Sequence, residues 1–228
     1  MIIVGMDDTD NLESRGTGRL ARDVAAALAA EFPVLGVTRH QLLVDPRVPC
    51  TKNNSSKAIL LDADGQVGPL AVQERVRGLM LADYQAGSDP GLCVARRVPA
   101  KVKDFGQRTK RELVTQKEAR ELAARYGIPL LGLGGDENGV IGALAAVGLA
   151  ATGEDGRYVL VGRCRELTGL QPVAAVLAAG VAAVLTSDGS SVTDGLVQCD
   201  KLRAARRGGR PVVFVQWQDD HWFPLILE

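Results

Sequence analysis

Ile2-Ile3-Val4-Gly5-Met6-Asp7-Asp8-Thr9-Asp10 opens the chain with an apolar run that meets a glycine and turns at once into three carboxylates. A short apolar run ended by glycine reads as a buried first strand. The carboxyl ends of such strands are where α/β proteins place their ligands. Three carboxylates within four residues repel one another unless a cation neutralises them. Mg²⁺ is the natural partner, because it takes hard oxygen ligands and often binds through one or two carboxylates plus substrate phosphates. Asp7, Asp8 and Asp10 are therefore candidate metal ligands. A solvated acidic turn, with Asp10 as a cap, accounts for the same residues.

Arg15-Gly16-Thr17-Gly18-Arg19 follows and opens a helix over 17–31, in which Leu20, Val24, Ala27 and Leu28 recur at three- and four-residue spacing. Pro33 stops it. Gly16 and Gly18 permit close backbone approach, and a helix start offers free N–H groups to a phosphate. Thr17 is either the helix N-cap or a hydroxyl facing a phosphoryl group.

Residues 34–44 read as one or two strands and 58–61 as another. Between them lies a loop of a dozen or so residues, long enough in a compact domain to suggest function. Its Lys52 and Lys57 can reach phosphate, and Asn53 and Asn54 can hydrogen-bond a base, a ribose or a phosphate. A helix is expected over 67–84. The Ser88-Asp89-Pro90-Gly91 turn marks a boundary, dividing the chain into an acidic-loop half, 1–90, and a second half, 91–228, with a nucleotide site between them.

In the second half, Thr115 and Glu118 form a capping box before a helix over 115–126. Gly134-Gly135-Asp136-Glu137-Asn138-Gly139 then runs from a strand into a small-residue helix over 140–151, the general geometry of a phosphate cradle. Gly135, Asn138 and Gly139 are its candidate contacts. A tight turn packed by small residues reads equally well, and the Gly-Lys-Ser/Thr ending of a Walker A loop is missing. Strands are expected at 92–95, 128–133 and 158–162, with a closing hairpin at 212–217 and 222–227. The alternation of strands and helices gives an α/β or α+β class with mixed sheets.

Lys+Arg and Asp+Glu both number 27 in 228 residues, which argues against a binder held to nucleic acid by bulk charge. Two local basic runs remain, Lys101 to Arg111 and Arg203 to Arg210; each reads as a solvated face or a hold on an RNA backbone. The four cysteines have no zinc-ribbon spacing and read as reduced thiols. No leader precedes the first strand, and the apolar stretch 170–185 is broken by Pro172 and Gly180, so a cytoplasmic protein with no membrane partner is expected. A homodimer is compatible with all of this.

Taken in order, the Gly5 to Asp10 loop, Thr17, Leu43-Val44-Asp45-Pro46-Arg47-Val48-Pro49 with its Lys-Asn continuation, Asn138 to Gly148, and Leu160-Val161-Gly162-Arg163 resemble the N-terminal part of archaeal tRNA-isoleucine agmatidine synthetase. The resemblance covers most of residues 1–165. It implies a kinase-like α/β domain joined to a ferredoxin-like domain, with ATP as substrate and tRNA as partner. It implies that Thr17 matches an essential threonine and that Asp7, Asp8 and Asp10 are metal and nucleotide ligands. The synthetases continue into an OB-fold and a zinc ribbon, for which this sequence has no Cys-x-x-Cys pair, so a stand-alone relative with another acceptor, RNA or small molecule, is expected. The resulting expectation is an ATP- and Mg²⁺-dependent phosphotransferase: Asp8 and Thr17 catalytic, Lys52 neutralising developing charge, and Gly16, Thr17, Gly18, Lys52, Asn53, Gly135, Asn138 and Gly139 holding the nucleotide. The alternative is a non-catalytic nucleotide- or nucleic-acid-binding module.

Overall fold

The computed structural model describes residues 1–48, 50–51, 53–63, 67–200 and 202–227. Strand β1 (Ile2–Asp7) is buried except at its last residue. Helix α1 (Thr17–Leu28) ends three residues earlier than expected and buries Leu20, Val24 and Leu28 of the expected stripe together with Ala21 and Ala25, leaving Ala27 half-buried. Strand β2 (Val34–Gln41) ends three residues earlier than expected, and β3 (Ser55–Leu61) begins three earlier. Helix α2 (Pro69–Ala82) starts on proline, whose fixed φ suits a first helical position. Strand β4 (Gly91–Ala95) follows.

Much of the Lys101 to Arg111 run, read from sequence as a solvated face or a hold on an RNA backbone, lies in helix α3 (Ala100–Arg108), which buries Val102 and Phe105. Helix α4 (Gln116–Arg125) carries the expected capping box: Thr115 accepts from the Glu118 N–H, and the Glu118 carboxylate accepts from the Thr115 N–H. After β5 (Leu130–Gly132), helix α5 (Gly139–Thr152) is apolar all round and almost wholly buried, as a central helix must be.

The rest is β6 (Arg157–Leu160), β7 (Leu170–Pro172), α6 (Val173–Ala178), β8 (Ala183–Thr186), β9 (Leu196–Gln198), β10 (Ala205–Arg207), β11 (Arg210–Gln218) and β12 (His221–Leu225). The β11–β12 turn holds Asp219 and Asp220 at positive φ, 48° and 62°, the twist a two-residue hairpin loop requires.

The strands form one mixed sheet in the order β5-β4-β1-β3-β2-β6-β10-β11-β12-β9-β7, with β8 parallel to β11. Strand β1 lies between β3 and β4, antiparallel to both, so the sheet runs across the Ser88–Gly91 turn. Side chains alternate across a strand. Ile2, Val4 and Met6 therefore pack with α1 and α2, and Ile3 packs on the other face with α3, α4 and α5.

Helix α5 lies unusually close to the sheet. A Cβ on Gly5 would overlap the Ala143 carbonyl, and one on Gly91 would overlap the Gly139 backbone. These glycines let helix and strand backbones touch, which seats the start of α5 beside the acidic end of β1. Among the described residues no helix is long and apolar enough to cross a membrane.

Candidate active site

Strand β1 delivers Asp7 on the face toward α5, where the missing side chain of Gly142 makes room for its carboxylate. Burial pushes Asp7 well above the usual carboxylate range, with Lys57 pulling it back. Lys57 is set opposite Met6 and so lies on the other face, beneath α1. Its Nζ donates to the Ser55 carbonyl at 2.7 Å and to Ser55 Oγ at 3.1 Å, and burial lowers its pKa. Asp7 and Lys57 thus act on each other through the end of the sheet, without a contact ion pair.

The chain turns sharply after β1, with Asp8 at φ 51°, a left-handed conformation uncommon outside glycine. Asp8 lines the cavity described below. Burial, then the charges of Asp89 and Asp10, raise its pKa to about 6. Asp10 is already engaged. Its Oδ1 accepts from Thr17 Oγ1 at 2.9 Å and its Oδ2 from Thr51 Oγ1 at 3.3 Å, tying the start of α1 to the loop before β3. Thr17 is not the cap of α1. That place belongs to Gly16, at φ 86°, and Thr17 is the first helical residue, 5% exposed, with its hydroxyl turned to Asp10.

The loop from 45 to 54 is tied down at both ends. Leu43 N donates to the Thr109 carbonyl at 2.9 Å, Asn54 Nδ2 to Leu43 O at 2.8 Å, and Gln41 Nε2 to Asn54 O at 2.7 Å. Arg47 forks onto Asp45, whose pKa falls to about 2 under that hydrogen bond.

Together these elements enclose a cavity of about 420 Å³. Its lining is polar at Asp7, Asp8, Asp10, Gly16, Thr17, Gly18, Asn53 and Lys57, and apolar at Leu42, Leu43, Leu113, Val114 and Ile141. Volume and mixed lining are those of a small-molecule site.

No protein-family model matches the chain. An uncharacterised protein of Methanocaldococcus jannaschii is 29% identical over 154 residues, 65% of this chain and 50% of that protein. Among solved structures, the complex of TiaS with tRNA(Ile2) and ATP matches 64% of this chain at TM-score 0.57 and 27% identity, covering 36% of its own chain. A tRNA fluorescent labeling enzyme matches equally well, TM-score 0.57 and 27% identity, over 64% of this chain and 35% of its own. Apo TiaS, the tRNA(Ile2) agmatidine synthetase, follows at 0.55 and 26%, with the same 64% and 35% coverage. Over that portion the chain is a relative of the agmatidine synthetases. It spans half the length of the curated relative and about a third of the synthetase chains.

Of the residues that the synthetase resemblance and the motifs singled out, Asp7, Asp8, Asp10, Gly16, Thr17, Gly18, Asn53 and Asn138 all line the one cavity, drawn from both sides of residue 90. Lys52 lies outside the described residues. Gly135 and Gly139 are placed elsewhere. The glycine loop is wrapped around a carboxylate of the protein itself: Asp89 Oδ1 accepts from the Asp136 N–H at 2.8 Å, and Asp89 Oδ2 from Asn138 Nδ2 at 3.4 Å. A Cβ on Gly135, φ 59°, would overlap Asp89, and Gly139 packs against the backbones of Asp89 and Gly91. Sequence reasoning placed Asp89 in a boundary turn and Gly142 in the Asn138 to Gly148 run without giving either a site role, and it missed Leu113 and Val114, which sit in a link between helices.

Among the described residues no three His, Cys, Asp or Glu side chains converge in a metal-holding geometry, so Asp7, Asp8 and Asp10 do not form a ready three-carboxylate cage. The donor set still fits a hard divalent cation. Asp8 makes no side-chain hydrogen bond among the described residues, lines the cavity, and is crowded by Asp89 and Asp10, a repulsion that a cation relieves.

The two basic runs separate. Arg108 is paired with Glu112 and Glu118, and Lys110 with Asp155. Arg206 is buried and donates to Ala150 O, Tyr158 Oη and Gly209 O, a structural clamp.

Proposed function

We propose that this chain is an ATP- and Mg²⁺-dependent phosphotransferase related to the agmatidine synthetases, acting on an RNA or small-molecule acceptor in the cytoplasm. The observation that carries the proposal is the 2.9 Å hydrogen bond from Thr17 Oγ1 to Asp10 Oδ1, both lining a cavity of small-molecule size. The similar solved structure of TiaS is a complex with tRNA(Ile2) and ATP, which supports the reading.

The apolar lining residues Leu42, Leu43, Leu113, Val114 and Ile141 suit a flat nucleobase. Gly16 and Gly18 leave the first N–H groups of α1 open to a phosphate, at the positive end of the helix dipole. Lys57 adds positive charge from beneath α1, and Lys52 is assigned the same role from the loop. Asp10 accepts the Thr17 proton and so fixes the hydroxyl's lone pairs toward the cavity. Asp8 would hold Mg²⁺, with Asp7 behind it. The ion, when bound, supplies charge neutralisation to the transferring phosphoryl group.

The test is Mg-ATP titration by calorimetry together with ATP turnover, on wild type, D8A and T17A. D8A is expected to weaken Mg²⁺-dependent ATP binding by about tenfold or more, the scale of a lost charged contact. T17A is expected to keep ATP binding and lose turnover. Absence of Mg-ATP binding in the wild type would overturn the proposal. Binding without turnover across RNA and small-molecule acceptors would favour a nucleotide-sensing module.

A further inference from the structure

Arg39 on β2 lies directly opposite Lys57 on β3 and directly opposite Arg157 on β6. Opposed residues on neighbouring strands share a face. The face is the one covered by α1, since Lys57 Cε lies against Gly18. One rung of the sheet therefore carries basic side chains from the cavity wall across to β6.

Three further arginines lie along that rung, Arg22 by Gly18 at its Lys57 end, and Arg165 and Arg203 at its β6 end. Arg22 is on α1, and its Nη1 donates to the Gly18 carbonyl at 2.8 Å. Arg165 follows β6, and its Nη1 reaches back to the Val159 carbonyl at 3.3 Å. Arg203 comes just before β10, the strand whose Ala205 pairs with Arg157, and its Nη1 donates to Leu202 O at 2.7 Å. All three guanidinium groups bond only to backbone carbonyls, and none forms an ion pair among the described residues. Burial, then the charge of Arg165, holds both Arg22 and Arg203 below the usual guanidinium range; Arg157 adds to the repulsion at Arg203.

In a chain with equal numbers of acidic and basic residues, such a gathering is local rather than a consequence of excess charge. Guanidinium forks match phosphate oxygens two at a time. We infer that Arg22, Arg165 and Arg203 form a phosphate-binding site outside the nucleotide cavity, joined to the cavity's Lys57 wall by the Arg39–Arg157 rung. It is independent of the phosphotransferase reading. The phosphate belongs either to a free anion or to a polynucleotide strand, which present the same chemistry.

The probes are sodium pyrophosphate, by calorimetry, and a short fluorescein-labelled single-stranded RNA, by anisotropy at two salt concentrations. The variants are R165A, at an exposed position, and R165A/R203A. At least one probe is expected to bind the wild type, and each substitution to weaken it, the double variant by about tenfold or more. Thermal unfolding and Mg-ATP binding should not change. Pyrophosphate binding alone assigns the free anion. RNA binding whose salt dependence becomes shallower in the variants assigns the strand. Failure of both probes on the wild type, or equal binding by R165A/R203A, overturns the inference. Arginine-dependent probe binding by a chain that fails to bind Mg-ATP would leave this site standing and sink only the phosphotransferase.

Discussion

Gly142 lacks a side chain where the Asp7 carboxylate needs the space: a Cβ there would overlap Asp7 Oδ2. The end of β1 and the first turns of α5 thus fit together only when one of the two positions is glycine. This is how a buried carboxylate comes to rest beside a helix that is otherwise apolar.

G142A should therefore disturb the site and the fold together. Overpacking a close-fitted contact costs about 1–3 kcal/mol. Helix propensity alone would favour alanine by about 1 kcal/mol. A lower melting temperature with weakened Mg-ATP binding is the expected pair of results. A G142A chain more stable than wild type would mean that α5 or Asp7 moves away without loss.

Asp10 accepts two hydroxyls, one from the first residue of α1 and one from the loop before β3. D10N leaves one oxygen and replaces the other with a donor, so either Thr17 or Thr51 must turn away. The stability cost should be small, about 0.5–1.5 kcal/mol for one hydrogen bond. The effect on turnover should be much larger than the effect on ATP binding, because Thr17 loses its proton acceptor or its orientation. Equal losses in binding and turnover would show Asp10 to be only a strut.

Much of this site was legible in the sequence because it is local. Asp7, Asp8, Asp10, Gly16, Thr17 and Gly18 lie within a dozen residues, and a strand followed by a helix start could place them only at one sheet end. What stayed hidden depends on long-range packing. The Gly134–Gly139 loop has the composition of a phosphate cradle, yet Asp89, 47 residues from Asp136, occupies its donors. The Arg203 to Arg210 run looked like one patch. In the fold Arg206 turns inward to clamp α5, while Arg203 joins arginines from two distant segments. Helix α3 was obscured by lysines on its exposed side, although Val102 and Phe105 already stood three apart.

His40 is wholly buried, with Nδ1 2.9 Å from Asp155 Oδ1 and Nε2 2.8 Å from Thr38 Oγ1, and Asp155 also pairs with Lys110. Burial lowers the His40 pKa, although Asp155 pulls it back up. A group whose folded pKa is lowered takes up its proton first in the unfolded chain. Its contribution therefore destabilises the fold as pH drops below about 6.5, by up to about 1.4 kcal/mol per pH unit. Asp7 and Asp8 pull the other way over the same range, because their folded pKa values are raised. The informative measurement is the difference between wild type and H40Q in melting temperature from pH 7 to pH 5. Wild type should lose more stability than H40Q on acidification, and parallel curves would show that His40 does not titrate on unfolding.

Asp89 decides whether the glycine loop serves structure or ligand. Its two oxygens hold the Asp136 N–H and the Asn138 amide, and Asn138 Oδ1 in turn accepts from Gln116 Nε2 at 2.8 Å, so the loop, the start of α5 and the start of α4 hang together on one carboxylate. D89A leaves both donors without their partner, whereas D89N keeps an oxygen for the Asp136 N–H. If the loop is structural, D89A should lower the melting temperature more than D89N. Both donors are exposed, so water takes the place of Asp89 and the difference should be about 0.5–1.5 kcal/mol, the net worth of one hydrogen bond. At temperatures where the variants remain folded, ATP affinity should follow Asn138, the one member of this group that lines the cavity, and so fall only slightly in D89N. A phosphate-cradling loop behaves differently. Removing the competing carboxylate would free its N–H groups and tighten ATP binding in D89A. Tighter binding by D89A than by wild type would restore Gly135 and Gly139 to the nucleotide site.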